Sequence, residues 1–165
     1  IYQCDWSSDV CSSDLEDKKR SWVFSSLVQN KTRKWIDNQK LTWDLKIYGG
    51  RRGENKSRRI TEPDMCRIYN SNWGCLLPAY YHAGSGWWRS RVQQVVDVGS
   101  ILYCEDKEGA IYGEAFTNMK IADIEKMSTA ELARLAKYQH ECLYDNHPLD
   151  KSVQRAELTK VLESR

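Results

Sequence analysis

The sequence predicts a mainly β fold with additional helices, built around a small closed barrel. The chain has 7 Trp and 9 Tyr against 2 Phe, an aromatic balance that favours strands. In its second half, apolar stretches follow one another at intervals of roughly 10 to 12 residues with turn residues between them, a spacing typical of barrels. These candidate strands are Gly74–Tyr81, Gly86–Val96, Ser100–Glu105 and Ala110–Thr117.

The first fifteen residues are excluded from this fold. Residues 5–15 read DWSSDVCSSDL, a run rich in Ser and Asp without a period that would bury one face of a helix or strand. The run resembles the translation of a sequencing-library adapter, and a genuine flexible tail is the alternative. We therefore expect residues 1–15 to form a tail without regular structure.

Residues 16–67 form a basic segment, with 14 Lys+Arg against 7 Asp+Glu, a net charge of +7. Two strand-like pieces lie within it. Ser21–Val28 is apolar, and Leu41–Tyr48 alternates so that Trp43, Leu45 and Ile47 share one face. We predict two strands here, and whether they pack against the barrel is left open.

A Gly-rich basic stretch, GGRRGENKSRR, follows the second of these strands. Lys and Arg in such a stretch supply sequence-independent, salt-sensitive affinity for phosphates, so RNA binding is one hypothesis. A solvated surface loop is the simpler interpretation. The candidate nucleic-acid contacts are Arg51, Arg52, Lys56, Arg58 and Arg59.

Helices are predicted towards the end of residues 68–165, which carry a net charge of −2. Ser128 and Glu131 have the spacing of a capping box, which predicts a helix starting there. Lys137–Tyr144 is predicted as a further strand. Asp150–Leu162 places its apolar residues at helical spacing, which predicts a second amphipathic helix.

The cysteines do not suggest a metal site. Outside the first fifteen residues they have wide, irregular spacings without a C-x-x-C pair, whereas a structural zinc site needs four closely arranged ligands. We predict free, mostly buried thiols and no cofactor. The four cysteines are Cys66, Cys75, Cys104 and Cys142.

Three ordered stretches resemble Tudor domains of the extended type. Residues 74–80 (GCLLPAY) are similar to the first barrel strand, residues 86–92 (GWWRSRV) to the second-strand signature, and residues 137–144 (KYQHECLY) to the stretch after the barrel. The resemblance covers residues 68–165. It implies a small SH3-like Tudor β-barrel with a flanking partial nuclease-like subdomain and a C-terminal helix.

The resemblance also implies an aromatic cage for methylated side chains. Strand alternation sends Trp87 and Trp88 to opposite faces, so we expect Trp87 to be buried and Trp88 to face the cage. The family's D-Y-G-N is replaced by residues 107–110 (KEGA), so the cage is incomplete. Ordinary packing of these aromatics is the alternative. The candidate ligand-binding residues are Tyr80, Tyr81, Trp88, Tyr103, Glu105 and Tyr112.

The function implied by this resemblance is a protein-interaction module in a germline or small-RNA-pathway scaffold. Its partners would be Arg-rich or dimethylarginine-containing tails of Piwi-like proteins, attracted by an acidic rim formed by Glu105, Asp106 and Glu108. RNA binding or reading of histone tails are the alternatives. A cytoplasmic location, of the germ-granule type, follows from the same resemblance.

Neither enzymatic activity nor a membrane location is predicted. We find no Walker loop, dinucleotide fingerprint or nucleophile elbow, and the histidines His82, His140 and His147 have no context implying a catalytic triad. Mean hydropathy is −0.70, and no apolar run approaches the roughly 20 residues that span a bilayer.

Overall fold

The computed structural model describes residues 17–25, 30–48, 62–78 and 90–146, which form four strands, six α-helices and a 3-10 helix. The strands are β1 (Lys19–Ser25), β2 (Asp44–Tyr48), β3 (Asn72–Leu77) and β4 (Ile101–Cys104). The helices are α1 (Asn30–Asp37), α2 (Glu62–Asn70), α3 (Ser90–Asp97), α4 (Asp106–Tyr112), α5 (Ile121–Ile124) and α6 (Thr129–Asn146), and the 3-10 helix spans Glu114–Phe116.

The strands form one open, all-parallel sheet in the order β2-β1-β3-β4. Trp22 lies opposite Leu45 of β2 on one side and Gly74 of β3 on the other, and Gly74 lies opposite Ile101 of β4. The predicted small barrel is therefore wrong. Parallel neighbours need a crossover connection, usually a helix, whereas the meander we predicted would pair its strands antiparallel. Both the basic segment and the second half of the chain supply strands to this sheet.

Three predicted strands are helical where the structure describes them. Within Gly86–Val96, residues 90–96 belong to α3. Ala110–Thr117 covers the end of α4 and the 3-10 helix, and Lys137–Tyr144 lies inside α6. In α3 the buried residues Val92, Val95 and Val96 have helical spacing, so the burial of one helix face overrides the β preference of valine.

Several elements agree with the sequence-based expectations. All four strands lie within or overlap predicted strands, and β2 lies inside the predicted Leu41–Tyr48. The capping box is confirmed, because the Ser128 amide N donates to Glu131 Oε2 at 2.7 Å and the Glu131 amide N donates to Ser128 Oγ at 3.3 Å. Residues 1–15 and the predicted helix at 150–162 lie outside the described residues.

Two apolar clusters cover opposite faces of the sheet. Neighbouring strand residues point to opposite faces, and in β1 the side chain of Val23 belongs to one cluster while Trp22 and Phe24 belong to the other. The Val23 face is covered by α2 and α3. The Trp22 face is covered by α1, α5 and the first half of α6, whereas the second half of α6 contributes Cys142 and Leu143 to the Val23 face. Helices therefore lie on both faces of the sheet.

Gln139 of α6 satisfies the backbone groups of Leu102 at the β4 edge. Its Oε1 accepts from the Leu102 amide N at 2.8 Å, and its Nε2 donates to the Leu102 carbonyl at 2.9 Å and to the Ala115 carbonyl at 3.3 Å. The buried side-chain amide thus makes the pair of bonds that a further strand would make. An edge strand satisfied in this way is protected from pairing with other chains.

Glu125, just after α5, links the residues that precede β2 to strand β1 by hydrogen bonds. Its carboxylate accepts from the Trp22 indole N at 2.8 Å, the Trp43 amide N at 2.9 Å, and both the amide N and the hydroxyl of Thr42. Burial raises the pKa of this carboxyl, but the hydrogen bonds from Thr42, Trp43 and Trp22 outweigh burial, so the pKa of Glu125 lies below its ordinary value.

Replacing Glu125 by Gln should lower the free energy of unfolding at pH 7 and make that free energy less dependent on pH in acid. Because the folded-state pKa is lowered, the carboxylate stabilises the fold above its unfolded pKa, and this contribution is lost as the pH falls through the folded pKa. We expect Glu125→Gln to cost about 2 kcal/mol at pH 7. Urea unfolding between pH 7 and pH 3 measures both effects. Asp44→Asn, at an exposed position of β2, is the matched control. An equal acid response in wild type and Glu125→Gln would contradict the expectation.

Candidate functional site

The carboxyl ends of the parallel strands share one edge of the sheet, which we call the carboxyl edge. β1 ends there at Ser25, β2 at Tyr48, β3 at Leu77 and β4 at Cys104. In open sheets of this kind, ligands bind in the crevice outside these ends, where the strand order reverses. Here β2 and β3 flank β1 on opposite sides. The reversal therefore lies between β1 and β3.

The starts of two helices point towards this edge. Helix α1 follows β1, and α3 ends just before β4 begins, so the first turn of each lies towards the carboxyl edge. The first N–H groups of a helix lack intrahelical partners and carry partial positive charge. This end of the molecule therefore favours a negatively charged group.

Ser25 and Tyr69 join β1 to α2 at the crevice. The Ser25 and Tyr69 hydroxyls are hydrogen-bonded to each other, and both side chains are buried. Side chains of a helix lean towards its amino terminus, which carries the Tyr69 ring from the last turn of α2 towards the end of β1. Burial raises the pKa of Tyr69 well above its ordinary range, against the lowering effects of the Ser25 bond and of Arg91. The phenol therefore stays protonated and available as a hydrogen-bonding group.

Arg91 supplies a positive charge that acts on Tyr69. It lies in the first turn of α3 and is half-buried. Its charge favours the ionised forms of both Tyr69 and Cys75 and so lowers the pKa of each side chain. Burial nevertheless raises the pKa of Cys75 to about 12, so this thiol stays neutral. Within the described residues, no salt bridge joins Arg91 to a carboxylate.

A buried acid lies just beyond β4 at the same edge. Glu108, in the first half of α4, is 1% exposed, and the Tyr112 hydroxyl donates to its Oε1 at 3.0 Å. The predicted acidic rim is therefore divided. Glu105 is half-buried and Asp106 exposed, but Glu108 belongs to the interior.

Two residues of the predicted aromatic cage lie on opposite sides of the sheet. Tyr103 packs with Trp22 and Trp35, with ring centroids 6.2 Å apart in each case. Tyr112 is buried in the other cluster, 5.8 Å from Phe116. These two rings do not line one groove.

The remaining predicted site residues fall in parts of the chain that the structure does not describe. These residues are Tyr80, Tyr81, Trp88, Arg51, Arg52, Lys56, Arg58 and Arg59. Trp87 lies there too, so the expected burial of Trp87 and the expected exposure of Trp88 stay predictions.

Sequence reasoning missed Ser25, Tyr69 and Arg91 as site residues. Ser25 was absorbed into an apolar strand, and Arg91 was assigned to a strand rather than to the start of a helix. The available signal was the length of chain between the strands. The chain between the end of β3 and the start of β4 is long enough for a crossover helix. A helix in that connection has its first turn at the carboxyl edge.

Comparisons with known proteins do not identify the chain. It matches no known family model, no curated protein and no solved structure. Among residues 17–25, 30–48, 62–78 and 90–146, no three His, Cys, Asp or Glu side chains are grouped so as to hold a metal ion. No helix in the same residues is both long and apolar enough to span a membrane.

Proposed function

We propose that this chain binds a small phosphate-bearing ligand, of the nucleotide class, at the carboxyl edge between β1 and β3. The observation that carries the proposal is Arg91 in the first turn of α3, a helix that starts towards the carboxyl edge where the strand order reverses. The charge of Arg91 also acts on Tyr69. Reversal points in open parallel sheets hold ligands, and helix starts hold phosphates.

Each part of the crevice has a chemical role in this proposal. The Arg91 guanidinium would contact phosphate oxygens, for which its planar set of donors is suited. The α1 and α3 starts would add backbone N–H donors. The hydrogen bond between Ser25 and Tyr69 fixes the position of the phenol at the end of β1, so these two polar groups are arranged before a ligand arrives.

The earlier hypotheses stay untested and have less support. Reading of Arg-rich or methylated peptides was predicted through a barrel, and the described residues contain an open parallel sheet instead. RNA binding through the basic stretch involves residues 49–59, which lie outside the described part of the chain.

Calorimetric titration of the full chain tests the proposal. Nucleoside diphosphates carrying each common base and inorganic phosphate serve as probes, and we expect at least one diphosphate to bind. Arg91→Gln should weaken that binding at least about tenfold, equivalent to about 1.4 kcal/mol. Binding should also raise the melting temperature, because the ligand stabilises the folded state.

Arg67→Gln is the matched control. Arg67 is an exposed arginine of α2 that pairs with Asp64 at 3.5 Å, and its replacement changes the net charge equally. Its affinity for the diphosphate should match that of wild type. Absence of binding to all probes at millimolar concentration, or equal losses in the Arg91 and Arg67 variants, would overturn the proposal.

A further inference from the structure

Helices α3 and α6 are joined by a polar cluster at their interface. The Tyr144 hydroxyl donates to Asp97 Oδ1, and the Gln93 side-chain amide donates to the Tyr144 hydroxyl at 3.4 Å. The His140 Nε2 lies 3.9 Å from the same Asp97 oxygen. The His140 and Tyr144 rings are in contact, with centroids 4.6 Å apart. The Asp97 carboxylate therefore accepts a hydrogen bond from the Tyr144 phenol and lies near the His140 imidazole.

We propose that Asp97, His140 and Tyr144 form an acid-sensitive latch, which holds the end of α6 on α3 while the imidazole is neutral and loosens when it takes up a proton. The side chain of His140 is 22% exposed, so protonation places a positive charge in a partly desolvated interface. The latch is separate from the crevice between β1 and β3 and does not depend on ligand binding.

Two opposing effects decide the direction of the response. Burial disfavours the charged imidazole, whereas the charges of Asp97 and Glu141 favour it; burial is the larger effect, and the pKa of His140 is lowered. A base whose folded-state pKa is lowered stabilises the fold fully above its unfolded pKa. That contribution declines as the pH falls from the unfolded to the folded pKa. The latch therefore weakens below about pH 6.5, the ordinary value for histidine.

Several polar groups on the elements that pack against α6 have partners other than His140. Glu108 of α4 accepts from Tyr112, and Glu114 of the 3-10 helix accepts from Tyr138 at 2.5 Å. The Cys104 thiol of β4 contacts the Phe116 carbonyl at 3.8 Å. The charges that act on His140 among the described residues are thus Asp97 from α3 and Glu141 from α6 itself.

Loosening of α6 would also affect the sheet edge. Gln139, which bonds the backbone of Leu102 in β4, is the neighbour of His140 in the sequence. An opened latch would leave the β4 edge less well covered, and exposed strand edges are prone to pairing with other chains. Acid would therefore act first on the end of α6 and then on β4.

Nuclear magnetic resonance of the full chain tests the latch. The chain contains three histidines, and the signal missing from His140→Phe assigns His140. We expect the His140 imidazole to titrate below pH 6.5. Amide exchange in residues 139–144, corrected for the intrinsic pH dependence, should accelerate as the pH falls from 7 to 5, by up to about tenfold for each unit of pKa lowering. Titration at or above pH 6.5 would overturn the proposal.

Two variants separate the latch from general acid sensitivity. His140→Phe keeps a ring against Tyr144 and removes the proton site, so its corrected exchange should not change with pH. Tyr144→Phe removes the bond to Asp97 and keeps the imidazole, so its α6 end should exchange faster at pH 7 and still respond to acid. Equal acid responses in wild type and His140→Phe would overturn the proposal.

Discussion

Trp22→Ala is expected to remove most of the stability of the fold. The Trp22 side chain is fully buried in the centre of β1, its ring covers Gly74, and its indole N donates to Glu125. Removing a buried Trp costs about 3–5 kcal/mol, against a total of about 5–15 kcal/mol for an ordinary domain. Loss of the Glu125 bond adds to this cost. Denaturant unfolding followed by far-ultraviolet circular dichroism measures the effect.

Trp43→Ala is the control for this prediction. Trp43 belongs to the same cluster, 5.4 Å from Trp22, but it is only half-buried. Its removal should therefore cost clearly less than removal of Trp22. Equal losses of stability in the two variants would contradict the central position of Trp22 in the core.

Gly109→Ala is expected to be strongly destabilising although it lies inside a helix. An added Cβ would lie 2.1 Å from the backbone oxygen of Phe116, a contact that requires the backbone to move. Helix propensity alone favours Ala by about 1 kcal/mol, whereas overpacking costs about 1–3 kcal/mol, and the upper end applies here because the clash is with backbone. The net effect should be a loss of stability, measurable as a lower denaturant midpoint.

Ala110→Gly, at the next and exposed position of α4, provides the comparison for Gly109. Only helix propensity should act at this site, with a loss of about 1 kcal/mol. A Gly109→Ala variant as stable as wild type would show that α4 does not approach Phe116 as closely as the structure indicates.

Strand positions could be predicted from the sequence more accurately than strand pairing. The apolar runs in β1, β3 and β4 mark buried strands, but buried strands of parallel and antiparallel sheets share this pattern. The distinction lies in the connections. Helices separate the paired strands along the chain, as α1 separates β1 from β2 and α3 separates β3 from β4. Our prediction instead joined the later strands by short turns.

Helices were mistaken for strands where residues with high β propensity fall at helical spacing. In α3, Val92, Val95 and Val96 mark one helix face, but the preceding Trp pair and the family resemblance favoured a strand. In α6, Gln139 and Cys142 likewise lie on the buried face of a helix whose start the capping box had predicted correctly. The helical period was present in both segments and was outweighed by residue type.

The candidate site could not be predicted from the sequence because its parts come from separate elements. Ser25, Tyr69 and Arg91 belong to β1, α2 and α3, and only the parallel topology brings them to one crevice. No spacing within the sequence marks such a group. The strand order had to be known before these residues could be recognised.

Hydrogen exchange of the full chain with and without a bound nucleoside diphosphate tests the central proposal most directly. The proposal predicts increased protection at the carboxyl edge, around Ser25 and Arg91. It predicts unchanged exchange at the opposite edge, where Lys18 donates to the Ser100 hydroxyl at 3.1 Å. The protection should be lost in Arg91→Gln and kept in Arg67→Gln. Protection confined to the Lys18–Ser100 edge, or no protection anywhere, would contradict a ligand site between β1 and β3.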